Sequence, residues 1–306
     1  MDPTKQTVSN SSGWDPASAQ SVPRLGRLIL VFGKGGVGKS TVATALARRF
    51  ASRGRSCTLV AFGDAEVTRE GGVERITLDA DSALARAAVP LFRSKLVSRL
   101  VLANFAIQRL ARAAPLLREV ALLECVRQIA QASPKGVLVV DMPATGHGVA
   151  WLRAPRQMLT LLPPGPARRF VEAIDAEVNG PHASNVVVTL PETLPLRESL
   201  ELCHALRETA GRPAAWVVVN RVPQPLAHGA VDDARALSVR AEPDAQSAAS
   251  ALLGAIEARV DAAARARHEI ARVIGGESLA WSTLPEISGS EIVARIAADL
   301  GTENAA

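Results

Sequence analysis

The residues Gly33-Lys34-Gly35-Gly36-Val37-Gly38-Lys39-Ser40-Thr41 put glycines, two lysines and two hydroxyls into one short run. The spacing G-x-x-x-x-G-K-[ST] lets backbone N–H groups from Gly35 to Lys39 turn inward around phosphate oxygens, beginning at Gly33 and leading into Thr41. The helix that follows adds the partial positive charge of its N-terminus. In such a loop Lys39 reaches the β- and γ-phosphates of a nucleotide, and the Ser40 hydroxyl ligates Mg²⁺. Lys34 exceeds what that grip needs. It addresses the same nucleotide from another angle, or one held by a second subunit, or it is a solvated loop lysine.

Two acids complete the candidate chemistry. The apolar run Val137 to Val140 ends in Asp141, and an acid at the carboxyl end of a buried strand beside a phosphate loop holds Mg²⁺, usually through water. The glycine that follows in the same segment, Gly146, can offer a backbone N–H to the γ-phosphate. Asp64 comes just after the run Cys57 to Phe62, at the same rim, where it either orients an attacking water or serves as the turn residue of Gly63-Asp64.

These residues need strands that end together. Short apolar runs at Leu28 to Phe32, Cys57 to Phe62, Val137 to Val140, Asn185 to Leu190, Ala215 to Val219 and Leu279 to Leu284 alternate with helical patterns, with Arg75 to Asp79 a possible further strand. Continuous apolar runs mean strands buried on both faces, so the fold class is α/β with a doubly wound, mostly parallel sheet. The run Thr41 to Arg53 reads as the helix after the loop. From Asp81 to Gln131 the period is helical, with Leu96, Leu100, Ala103, Ile107 and Leu110 on one stripe and Pro115 breaking it, which predicts an inserted helical subdomain over about 81–131. Ala245 to Ile274 reads as a long helix. Val222 to Ala241, with Pro223 and Pro225 inside and Pro243 close by, reads as a loop. Residues 1–24 are polar and aperiodic and read as a disordered lead-in to a single domain over 25–306.

Composition narrows the classes. In 306 residues, 48% hydrophobic content supplies a core, and no run approaches a membrane span or a secretory signal, so a cytoplasmic protein without an integral membrane span is expected. Cys57, Cys125 and Cys203 are too scattered for a C-x-x-C pair and read as buried thiols. The net charge of +5 is concentrated between Arg86 and Arg127, which holds eight basic residues against Glu119 and Glu124. A general nucleic-acid-binding surface is therefore not expected.

The loop GKGGVGKST, the segment VVDMPATGHGVAWLRAPR (139–156), VVVTLPETLPLRESLEL (186–202) and WVVVNRV (216–222) together resemble the ArsA-like ATPases. That family includes the arsenite-pump and tail-anchored-protein-targeting ATPases, and sits with MinD and ParA in the deviant Walker A class of P-loop proteins. The resemblance runs from about Arg27 to Leu300, and the single-domain bacterial branch is the nearer comparison. It implies ATP and Mg²⁺ as ligands. It also implies that Lys34 is the signature lysine that crosses a dimer interface to the partner's phosphates, that Asp64 positions the water, and that Asp141 to His147 is switch II. Asn220 takes the place of the asparagine that reads the adenine edge, and Pro285 and Glu286 that of a second base-contacting loop.

The resemblance further implies a homodimer, or a dimer with a related paralogue; its helical subdomain, Arg86 to Arg127, either forms an apolar groove with a basic rim for a protein client or packs its Leu and Ala face on the sheet with the arginines solvated. Two departures bear on activity. Switch I continues as Asp64-Ala65-Glu66-Val67 where the family usually has D-P-A-H, and the targeting ATPase's C-x-x-C is absent, so no zinc is expected. The expected activity is hydrolysis of ATP to ADP and phosphate, driving a dimeric switch. A low-turnover nucleotide-binding regulatory subunit paired with a related chain is one alternative. A ParA- or MinD-type positioning ATPase is the other, although the C-terminal helix Ser290 to Leu300 lacks a basic amphipathic face for membrane targeting.

Overall fold

A computed structural model describes residues 23–92, 115–144, 147–227, 229–287 and 292–300. The elements run β1 (Leu28–Gly33), α1 (Lys39–Ser52), β2 (Cys57–Phe62), β3 (Glu66–Glu70), β4 (Val73–Leu78), α2 (Ala80–Phe92), α3 (Pro115–Ala132), β5 (Val137–Asp141), α4 (His147–Leu161), α5 (Pro166–Val178), β6 (Ala183–Thr189), α6 (Thr193–Ala210), β7 (Trp216–Val222), α7 (Ala230–Arg240), α8 (Gln246–Val273), β8 (Trp281–Pro285) and α9 (Ile292–Asp299).

The strands form one sheet in the order β3-β4-β2-β5-β1-β6-β7-β8. Every pairing is parallel except that of β3 with β4. Both β1 and β6 are buried at every position, as the unbroken apolar runs require. Side chains alternate between the two layers: Leu28, Leu30 and Phe32 join the core beneath α2 to α6, whereas Ile29 and Val31 join the core beneath α1 and α9. This doubly wound arrangement gathers the carboxyl ends of β1, β2, β5, β6 and β7 along one rim, where ligands of such sheets bind.

Two features differ from the sequence reading. The stretch after Asp64, for which the sequence pattern predicts no element, forms an antiparallel edge strand over Glu66–Glu70, closed on β4 by Gly71 and Gly72, both with positive φ. Alternation around a Gly-Gly pair is a hairpin signal, but every residue of β3 is exposed, so no apolar run marks it. The region read as a loop from Val222 to Ala241 contains α7, with Asp232 and Asp233 in its first turn and Arg240 in its last, as a helix dipole favours. Its prolines lie outside the helix.

The helical span from Asp81 to Gln131 begins and ends as read. Ala83 and Ala87 of α2 and Val120 to Val126 of α3 pack into the main core, so these ends belong to the sheet's own layer. Pro115 is the first residue of α3, where a missing N–H costs nothing. The stripe from Leu96 to Leu110 lies outside the described residues, as do Gly146 and the lead-in up to residue 22. Among the described residues no helix is long and apolar enough to cross a membrane.

Candidate functional site

The register places Val31 of β1 beside Asp141 of β5, so the loop leaving β1 rises next to that carboxylate. Lys39 closes the arrangement: its Nζ donates to Asp141 Oδ1 at 2.7 Å, with both side chains about 12% exposed. The helix α1 starts at Lys39 with no side-chain cap and no acid in its first turn. Its leading N–H groups are therefore available to an anion from outside, and its dipole favours one. Gly36, at φ 84°, has open space where a Cβ would stand, so nothing from the protein fills the cradle. Ser40 lies exposed in the first turn of α1, with Thr41 half-buried behind it. The donor set, a lysine, a hydroxyl, a carboxylate and a row of N–H groups, fits a magnesium-bound polyphosphate.

Asn220 braces this loop from below. Its Nδ2 donates to the Val37 carbonyl at 2.8 Å, and the side chain is 4% exposed. The contact leaves no room at Gly38, where a Cβ would lie 2.3 Å from that nitrogen and the φ of 88° already favours glycine. A bulge aims the amide. The pairing of β7 with β8 shifts between Val219 and Val222, and Arg221 takes the left-handed φ of 55°. Val219 and Val222 consequently both face the core under α6, while Asn220 turns to the loop. Sequence placed Asn220 at a strand end but did not show this bond, which joins residues far apart in the chain.

Pro285 and Glu286 meet the same strand end, Pro285 pairing with Val222 and the Glu286 N–H donating to the Val222 carbonyl at 3.0 Å. Glu286 is held on its other side by Arg259 of α8, at 2.5 Å. Asn220, Pro285 and Glu286 are thus brought together beside the loop.

Lys34 points elsewhere. Its Nζ donates to Glu198 Oε1 of α6 at 2.5 Å, and the two side chains are 52% and 33% exposed. The second oxygen, Glu198 Oε2, is shielded and has no partner, so the carboxylate is only half satisfied. Beneath the pair lies a cavity of about 410 Å³, floored by Val37, Val149, Val188 and Leu202. It borders the outside of the loop and does not include the cradle around Lys39.

Asp64 is exposed, at the turn between β2 and β3. Since Val60 pairs with Val140, Phe62 stands level with Met142, and Asp64 lies just beyond the rim that carries Asp141. The three cysteines are free and buried. Burial pushes the Cys57 and Cys203 thiols up to about 12 and raises Cys125 as well, so all three remain protonated and unreactive at neutral pH. Among the described residues no group of His, Cys, Asp and Glu is placed to form a metal cluster.

Residues 28–273, from β1 to the end of α8, match the family model described as the CobQ/CobB/MinD/ParA nucleotide binding domain. The chain belongs to this family. The CobQ/CobB/MinD/ParA assignment agrees with the eight-stranded, mostly parallel sheet and makes the protein a nucleotide-binding α/β domain of the P-loop NTPase fold. Among its relatives is ATPase BagA of Mycobacterium tuberculosis, 29% identical over 327 aligned positions that cover 93% of each chain. The arsenical pump-driving ATPase of Escherichia coli is 26% identical over 205 positions, which take in 63% of this chain and 34% of the pump ATPase. Family and relatives together support ATPase activity at a general level and, with it, ATP as the nucleotide.

Proposed function

We propose that this member of the CobQ/CobB/MinD/ParA family is an ArsA-like, magnesium-dependent ATPase that works as a dimer, hydrolysing ATP to ADP and phosphate to drive the handling of a protein partner. The observation that carries the reading is the Lys39–Asp141 pair at the uncapped start of α1. A nearly buried lysine and carboxylate already in contact are placed to exchange partners for a magnesium-bound triphosphate: the lysine would hold phosphate and the carboxylate the metal's water shell. The resemblance of the 139–156 and 186–202 segments to ArsA-like ATPases, together with the pump-ATPase relative, supports the finer placement.

In this reading Lys39 holds the β- and γ-phosphate oxygens, with backbone N–H groups from Gly35 to Lys39 around them. Ser40 and Asp141 would hold Mg²⁺, which would supply neutralisation of the negative charge developing on the phosphates. Asp64 accepts a hydrogen bond from the attacking water and orients it in line. Lys34 leaves Glu198 and donates to phosphate oxygens in the partner subunit, stabilising leaving-group charge only when two chains close. Asn220, Pro285 and Glu286 form the base end of the site. Closure then shifts the helices that follow switch I and switch II, and with them whatever partner they carry.

The decisive measurement is phosphate release with Mg-ATP for wild type, Lys39→Ala and Asp64→Asn. Turnover in wild type alone, with ATP binding retained in Asp64→Asn, supports hydrolysis, whereas equal background rates in all three exclude it. A second reading has its own motive: the run after Asp64 enters β3 at Glu66, leaving that aspartate as the part of switch I that matches the family. A low-turnover regulatory subunit would bind Mg-ATP tightly yet release phosphate at background rate.

A further inference from the structure

Trp151, in the second turn of α4, stands over the end of the strand that leads to Asp64. Its ring lies 4.6 Å from that of Phe62, centroid to centroid, at 70°, the edge-to-face arrangement that aromatic pairs prefer. Trp151 is buried, at 9% exposure, and Phe62 is partly buried against the same core. Each ring sits next to a different part of the candidate site. Phe62 is the last residue of β2, separated from Asp64 by Gly63, whose N–H donates to the Leu78 carbonyl at 3.0 Å. Trp151 belongs to the helix that follows the Asp141 segment.

Neither ring is free to move alone. The first turn of α4 is pressed onto β1, since a Cβ on Gly148 would lie 3.1 Å from both Phe32 Cδ1 and the Pro143 carbonyl oxygen. Farther along α4, Arg153 Nε donates to Thr209 Oγ1 of α6 at 2.8 Å, and Arg156 bonds the Thr209 carbonyl. Asp64 itself is exposed, at the turn that leaves β2. Its position therefore depends on what fixes the end of β2.

We infer that Trp151 is a positioning residue for hydrolysis, holding Phe62 so that a shift of α4 is passed to Asp64. The inference rests on the water-orienting role of Asp64. It goes beyond that role in assigning the coupling between the two switch segments to one ring contact. Misplacing a catalytic group by a fraction of an ångström costs turnover much more than it costs binding.

The test is steady-state phosphate release with Mg-ATP by Trp151→Leu, Trp151→Phe, Phe62→Leu, the Trp151→Leu/Phe62→Leu double variant and Asp64→Asn. The expected result is a loss of about tenfold in kcat for Trp151→Leu with KM for ATP unchanged, and recovery of most of it in Trp151→Phe, which keeps an aromatic ring. Phe62→Leu should match Trp151→Leu, and the double variant should be no slower than either single one, because both remove the same contact. An unchanged kcat in Trp151→Leu overturns the inference, as does a multiplicative loss in the double variant or a loss that Trp151→Phe does not restore. If those results come with a strong loss in Asp64→Asn, the coupling alone is wrong. If Asp64→Asn turns over at the wild-type rate, the role of Asp64 fails and the inference fails with it.

Discussion

The two lysines of the phosphate loop have opposite surroundings. Lys39 lies against Asp141 with both side chains nearly buried, whereas Lys34 reaches out to Glu198 with half its surface in solvent. A charge pair held in a low-dielectric pocket is costly to leave unpartnered, so the Lys39–Asp141 pair keeps both groups in register for an incoming ligand. An exposed pair with one carboxylate oxygen unsatisfied is held weakly and opens readily. The difference separates a fixed grip from a movable one, although both begin from the same nine residues.

Substituting the two lysines tests that contrast most severely. Lys39→Ala should abolish measurable hydrolysis, a loss on the order of a thousandfold, and should weaken nucleotide binding as well, because the grip serves the ground state and the transition state. Isothermal titration with ATP and Mg²⁺ reads the binding part. Lys34→Ala should lower kcat by about a hundredfold and leave ATP affinity in the single chain almost unchanged, as a group that acts across an interface would. Equal effects of the two substitutions on affinity would erase the distinction.

Smaller effects sharpen it. Asn220→Ala removes the donor to the buried Val37 carbonyl and should cost about 1–3 kcal/mol in denaturant unfolding, with the loss confined to the fixed side of the loop. Glu198→Gln should change stability by less than about 1 kcal/mol, since the pair is largely exposed, and it should free Lys34. If the latter instead destabilised the fold as much as Asn220→Ala, Lys34 would be as fixed as Lys39.

The fixed side was also the more legible in sequence. Unbroken apolar runs announced the central strands, and the glycine spacing announced the loop, because burial on both faces and a tight phosphate turn each demand particular residue types. The helix α1, the long helix α8 and the strands β2, β5 and β6 lie within a residue or two of where the pattern put them. The partners of the loop were not legible. Glu198 and Asn220 reach it only after the chain has crossed the sheet, and nothing local in either segment distinguishes a brace from a solvated side chain. The prolines around α7 hid a helix whose charge pattern, acids in the first turn and an arginine in the last, was present, since loop signals on both flanks outweighed its interior. The strand β3 was hidden for another reason: with no buried residue it carries no hydrophobic period.

That strand has a consequence for solubility. Among the described residues β3 is the outermost member of the sheet, with a row of backbone donors and acceptors that no other strand pairs. Two copies meeting antiparallel about Thr68 would set Glu66 of each opposite Glu70 of the other, whose carboxylate is already paired with Arg48 of its own chain, so each Glu66 would bring a further negative charge to a pair already satisfied. Like charges facing each other oppose such a pairing. A sequence with no hydrophobic signal is thus a useful one at this border, because it lets a long, sticky sheet end without recruiting its neighbours.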